Sequence, residues 1–183
     1  MNRPLLITIH MYLAAFFAPF VVLASLTGGL YLLGEKGSVS RELVLETLRP
    51  MALTGELDDA ATIKTAVQDL LLEAGVEGYD FEYVKVNGST LYTRPTSRTH
   101  YVIKLGPVTQ VSSAVPDLQA AMMELHKGHG PGAFKTFQKV FALGLLFIIL
   151  SGLWLGLSAE RLRNRTLAVT SLGGIAFLLV MLL

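Results

Sequence analysis

Four histidines, His10, His100, His126 and His129, are the side chains of this sequence best suited to hold a transition metal, because the chain has no cysteine. That absence removes disulfides, thiolate metal sites, iron–sulfur clusters and cysteine nucleophiles together. Any redox chemistry must then sit on a cofactor held by other ligands, imidazole foremost. His10 lies inside an uncharged apolar run, where an ionisable ring is costly and by default a functional hypothesis. His129 follows His126 by three residues, with Glu124 close by, a spacing that fits a surface metal site. His100 stands beside Tyr101 in a stretch read below as a strand, and a structural role is expected for it. No nucleophile elbow, phosphate-binding glycine loop or HExxH pattern is present. The chain is therefore expected not to be catalytic on its own.

The hydropathy pattern sets the elements that must carry these rings. Of 183 residues, 52% are hydrophobic and only 16% charged, against about 25% charged in an ordinary soluble domain. The excess is concentrated in three runs, the membrane signature. Leu5 to about Gly34 is free of charge and interrupted only by His10 and Pro19. It exceeds the apolar core of a signal peptide, so it reads as a retained helix, tilted or kinked at Pro19. The second run starts at Ala133 and is wholly apolar from Val140 to Leu157, with Lys135 and Lys139 on one face and Trp154 near the far end. The basic segment Glu160 to Arg165 follows, and Thr166 to Leu183 is a third run.

Parity puts the N-terminus and the arginine loop on one side of a bilayer, and the middle segment and C-terminus on the other. Arg3, Arg161, Arg163 and Arg165 favour the cytoplasm for the first side. The expectation is a bacterial inner-membrane protein with a periplasmic middle domain. A formal net charge of +1 gives no field pointing to nucleic acid.

Between the first two runs the composition becomes that of a soluble domain. Ser40 to Arg49 reads as a short helix stopped by Pro50. Asp58 or Asp59 can N-cap a second helix ending at Gly75, whose Ile63, Val67, Leu70, Leu71 and Ala74 share one face. Strands are expected over Tyr79 to Val86, Ser89 to Thr93, Thr99 to Leu105 and Val108 to Ser113, with Asn87-Gly88 as a hairpin turn. The domain expected is α+β, a helix packed on a three- or four-stranded antiparallel meander. A last helix, Asp117 to about Lys127, leads to the Gly128–Gly132 breaker. The expected organisation is a first transmembrane helix over 1–36, the domain over 37–115 and a juxtamembrane helix with its Gly/His linker over 116–132. A second span over 133–158, a cytoplasmic basic loop over 159–165 and a third span over 166–183 complete it.

The two ends of this arrangement echo each other. Leu26-Thr27-Gly28-Gly29-Leu30 near the end of the first run parallels Leu150-Ser151-Gly152-Leu153-Trp154 in the second. A small hydroxyl residue followed by glycine lets helices approach closely and leaves a hydrogen-bonding group inside the bilayer. With His10 at the head of the first run and Leu125-His126-Lys127-Gly128 before the second, the sequence resembles the PepSY-associated transmembrane family over nearly its whole length. The resemblance implies a PepSY-like module for the middle domain. Some larger members, with four or more spans, reduce ferric siderophores at the inner membrane with b-type haems on histidines. By that likeness His10 and His126 are expected as axial ligands of haem b. They lie near opposite membrane faces, so each would need a second copy or a partner subunit to complete a bis-histidine iron. His126 and His129 are too close in sequence to take opposite axial positions on one haem.

Two readings follow. The first is an accessory subunit, docked through its module and helices on a larger membrane complex in a redox or iron-related setting. The alternative is a haem-b electron-transfer subunit, of the ferric-chelate reductase kind, working as a homodimer or with a partner.

Overall fold

The computed structural model describes residues 2–48 and 59–183. Among the described residues three helices are long and apolar enough to cross a membrane: α1 (Arg3–Leu32), α4 (Gly132–Leu157) and α5 (Glu160–Leu182). Between α1 and α4 stand a five-stranded sheet and two shorter helices. These are β1 (Val39–Thr47), α2 (Ala60–Glu73), β2 (Tyr83–Asn87), β3 (Thr90–Arg94), β4 (His100–Lys104), β5 (Thr109–Pro116) and α3 (Leu118–His126). The chain divides into two compact units, one of Met1–Val22 with Lys139–Leu183 and one of Leu23–Gln138.

In the first unit the packing of α1 on α4 is aromatic. Phe17 stacks edge-on with Phe16, 4.9 Å between centroids, and lies 5.4 Å from Phe141. Gly144 makes this possible: a Cβ there would run into the Phe17 ring. α5 begins at Glu160, so the segment 159–165, expected as a loop, forms the N-terminal cap and first turns of a helix. Arg161, Arg163 and Arg165 therefore lie on helical turns. None of the residues of α5 is buried.

In the second unit the sheet is antiparallel, ordered β1-β5-β4-β3-β2. Strands β2 to β5 are the expected meander, and β1 is the correction. Ser40 to Thr47, expected as a helix, pairs with β5 instead, from Val39 opposite Pro116 to Thr47 opposite Thr109. A pattern such as Glu42-Leu43-Val44-Leu45-Glu46 is short enough to satisfy either period, and the unpaired edge of β5 decides it. Arg49 and Pro50 lie outside the described residues. A bulge between Leu43 and Leu45 reverses the facing of β1, so that Leu45 turns to the core.

Register gives the sheet two different faces. Val84, Val86, Leu91, Ile103 and Val111 lie on the face covered by α2, where Ile63, Val67, Leu70 and Leu71 close a core around Phe81. Each such side chain contributes roughly 1.5–3 kcal/mol by leaving water. Thr93, fully buried in this layer, is satisfied by the Tyr79 hydroxyl at 2.9 Å and the Tyr101 amide at 2.8 Å. The opposite face carries Arg41, Lys85, Tyr92, Arg94 and His100. The α3 side chains of Ala120 and Met123 are buried beside it.

Asp117 ties α3 to the entry of β1. Its Oδ1 accepts from the Ala120 amide at 2.7 Å, capping the helix, and its Oδ2 accepts from the Ser38 amide and hydroxyl at 2.7 and 2.8 Å. Gly37 is required beside this knot, since its φ is +73° and a Cβ would collide with the Ala120 amide.

Candidate functional site: two histidine–hydroxyl pairs

The hydroxyl–glycine echo acquires a partner at each end. On α4, Ser151 is buried, and its Oγ lies 2.8 Å from His10 Nδ1 of α1. On α1, Thr27 is buried, and its Oγ1 lies 3.0 Å from Nδ1 of His126, the last residue of α3. The glycine after each hydroxyl faces the same ring. A Cβ on Gly152 would stand 3.2 Å from His10 Cε1, and one on Gly28 would stand 3.8 Å from His126 Cε1. Each histidine thus sits on a hydroxyl-glycine step of another helix.

Hydrogen-bond accounting couples each ring to its hydroxyl. The Thr27 hydroxyl lies 2.9 Å from the carbonyl of Leu23 and 3.2 Å from that of Ala24, and the Ser151 hydroxyl lies 3.1 Å from that of Ile148. A hydroxyl has one proton: given to the helix carbonyl, it leaves the ring to donate from Nδ1 and keep its lone pair on Nε2; given to the ring, it leaves Nδ1 as the acceptor. No hydrogen bond to Nε2 of either ring occurs among the described residues. Rings that bind metals through Nε2 are held in the first way, with the Nδ1 proton spent on a fixed acceptor. Beside the first pair, Leu6, Phe147, Leu150, Ser151 and Trp154 line an apolar hollow of 340 Å³.

His129 is engaged elsewhere. Its Nδ1 lies 2.7 Å from Glu124 Oε2, the same oxygen that accepts from Thr96 Oγ1 at 2.5 Å, while Lys127 pairs with Oε1. Arg94 Nη1 donates to Thr96 at 2.6 Å and stands 3.6 Å from Glu124. Burial alone would raise the Glu124 carboxyl, but Lys127, Thr96 and His129 outweigh it and hold it down to about 2. Among the described residues, no group of three or more His, Asp or Glu is placed to hold a metal ion. His100 is buried, with Nδ1 donating to the Arg98 carbonyl at 3.0 Å, and burial lowers its pKa below the usual histidine range.

The structure therefore brings His10 to Ser151, His126 to Thr27 and His129 to Glu124. The sequence displayed the two hydroxyl-glycine steps and the two histidines but not their pairing. Thr96 and Arg94 around Glu124 carried no sequence signal, because a carboxylate hub drawn from a turn, a strand and a helix has no fixed spacing.

Fold and site define a class: an antiparallel α+β domain inserted between long apolar helices, with two imidazoles fixed by hydroxyls. No family model matches the chain, and no curated protein or solved structure does.

Proposed function

We propose that this is a bacterial inner-membrane protein of the PepSY-associated transmembrane kind, its α+β domain periplasmic, acting as a haem-b electron-transfer subunit. The observation that carries the reading is the doubled histidine pair: Nδ1 against a buried hydroxyl, glycine under the ring, and Nε2 without a hydrogen-bond partner among the described residues. With the hydroxyl proton on its helix carbonyl, each ring would offer the Nε2 lone pair to a haem iron, which is the fit the residues offer. Haem b held there would supply one-electron transfer. Ser151 and Thr27 fix the direction of each ring, and the glycines let it lie close to the helix. Each site offers one imidazole per chain, so His10 and His126 would each need a second histidine from another copy or a partner subunit to hold the haem. The periplasmic placement is supported by Arg3, Arg161, Arg163 and Arg165 at the ends that parity assigns to the cytoplasm.

The test is a reduced-minus-oxidised visible spectrum of purified full-length protein. The expected result is a b-type signal of about one haem per chain, two sites each shared between two copies, with His10→Ala and His126→Ala each removing about half of it. A flat spectrum from folded protein overturns the reading. One observation favours the second reading, an accessory subunit in a redox or iron-related complex: α5 buries none of its residues in this chain and offers its whole apolar surface to lipid or to a partner. A defined complex that co-purifies with haem-free protein would then be the result.

A further inference from the structure

The sheet face opposite the α2 core carries Arg41, Lys85, Arg94 and Lys104 against one carboxylate, Glu46. Together with α3 and the chain that follows α1, it lines a cavity of 420 Å³. Five cationic side chains reach that cavity: Lys36, Arg41, Lys85, Arg94 and Lys127. The one acidic residue lining it is Glu124, already engaged by Lys127, Thr96 and His129. No carboxylate among the described residues pairs with Arg41, Lys85 or Lys36, although Lys36 Nζ lies 5.0 Å from the centre of the Tyr31 ring.

Cations on a solvated surface usually diverge, whereas here register turns them to one side. Arg41 lies on β1, Arg94 on β3 and Lys85 on β2, and the opposite sides of the same strands pack against α2. Arg94 lines the same cavity with a side chain only 11% exposed, its Nη1 already meeting Thr96 and Glu124. A planar guanidinium fork fits a carboxylate or phosphate oxygen.

We propose that this cavity binds a multiply charged oxyanion, a ligand of a few phosphate or carboxylate groups held chiefly by Lys36, Arg41 and Lys85, with Arg94 and Lys127 shared with Glu124. Arg94 forms the inner end, and Arg41 and Lys85 close on the ligand from opposite edges of the sheet. Tyr31 in the last turn of α1 and Lys36 just beyond it line the same cavity. The phosphate could therefore belong to a dissolved molecule or to a lipid headgroup. The inference does not rest on the histidine pairs.

The test uses the full chain in nanodiscs and inorganic pyrophosphate as probe, titrated calorimetrically at low ionic strength, where such pairing is least screened. Saturable binding in phosphatidylcholine discs, weakened several-fold by Arg41→Gln and by Lys85→Gln but not by Lys64→Gln on α2, supports a soluble ligand. Arg41 and Lys85 are exposed and unpaired, so these variants fold even if Arg94→Gln does not. If pyrophosphate does not bind, a melting point raised by phosphatidylglycerol discs over phosphatidylcholine discs, and lost in the same two variants, supports a lipid headgroup. Absence of both effects, or effects equally sensitive to Lys64→Gln, overturns the proposal.

Discussion

The two hydroxyls that hold the histidines differ in their surroundings, and their removal should differ accordingly. His10 is half-buried against Ser151, whereas His126 is exposed beside Thr27. Ser151→Ala leaves His10 Nδ1 facing an apolar helix and should destabilise by about 1–3 kcal/mol. Thr27→Val leaves a ring nitrogen that can regain a partner from its surroundings, at a cost under about 1 kcal/mol. Thermal melts of the two variants in one detergent give the order, and equal losses would refute the difference in surroundings. Glu124 belongs to the same scale. Its carboxyl is held at about 2 in the folded chain against an ordinary 4.5. A depressed carboxyl stabilises fully above the ordinary value and loses that contribution as pH falls through the window between the two. Glu124→Gln should therefore lower the melting point near neutral pH and flatten its decline between about pH 5 and pH 2. The slope that remains belongs to Glu82 and Asp117, whose carboxyls the backbone amides of Gly132 and Ala120 also lower.

Among the elements, the glycines of the apolar helices separate packing from propensity. Gly144 lies under Phe17, whereas Gly29 has no atom within 4 Å of an added Cβ. Gly144→Ala must displace a buried ring already packed on Phe16 and Phe141, an overpacking cost of about 1–3 kcal/mol. Gly29→Ala should be neutral or stabilising, by up to about 1 kcal/mol, since alanine is the better helix former. Melting points again decide, and a destabilised Gly29→Ala would show that this face meets something outside the chain. Elements were legible where their pattern is local. The buried stripe of α2, with Ile63, Val67, Leu70 and Leu71, and the Asn87-Gly88 turn follow from spacing alone. β1 was not legible, because what makes Ser40 to Thr47 a strand is β5, a partner far along the chain. The early turns of α5 were hidden by arginines, whose charge reads as a loop although arginine is a good helix former.

For the molecule as a whole, the membrane reading makes a topological claim. A reporter enzyme active only in the periplasm should be active when inserted at the hairpin turn Asn87-Gly88 and inactive after Ala159, between α4 and α5. The reverse pattern would put the domain in the cytoplasm. Most of this scale was present in composition, because three apolar runs can be counted without any partner. The two sites were only half present: residue types were visible, but which hydroxyl meets which ring depends on helix packing.

The β1–β5 ladder has a mechanical consequence. Val39, the first residue of β1, is paired with Pro116, the last residue of β5. The two covalent leads to the rest of the chain thus emerge at the same end of one antiparallel ladder. Tension that draws α1 and α4 apart peels this ladder open one pair at a time, like a zip, instead of shearing all its hydrogen bonds together. Arg41, near the start of the seam, is among the first residues that such tension releases.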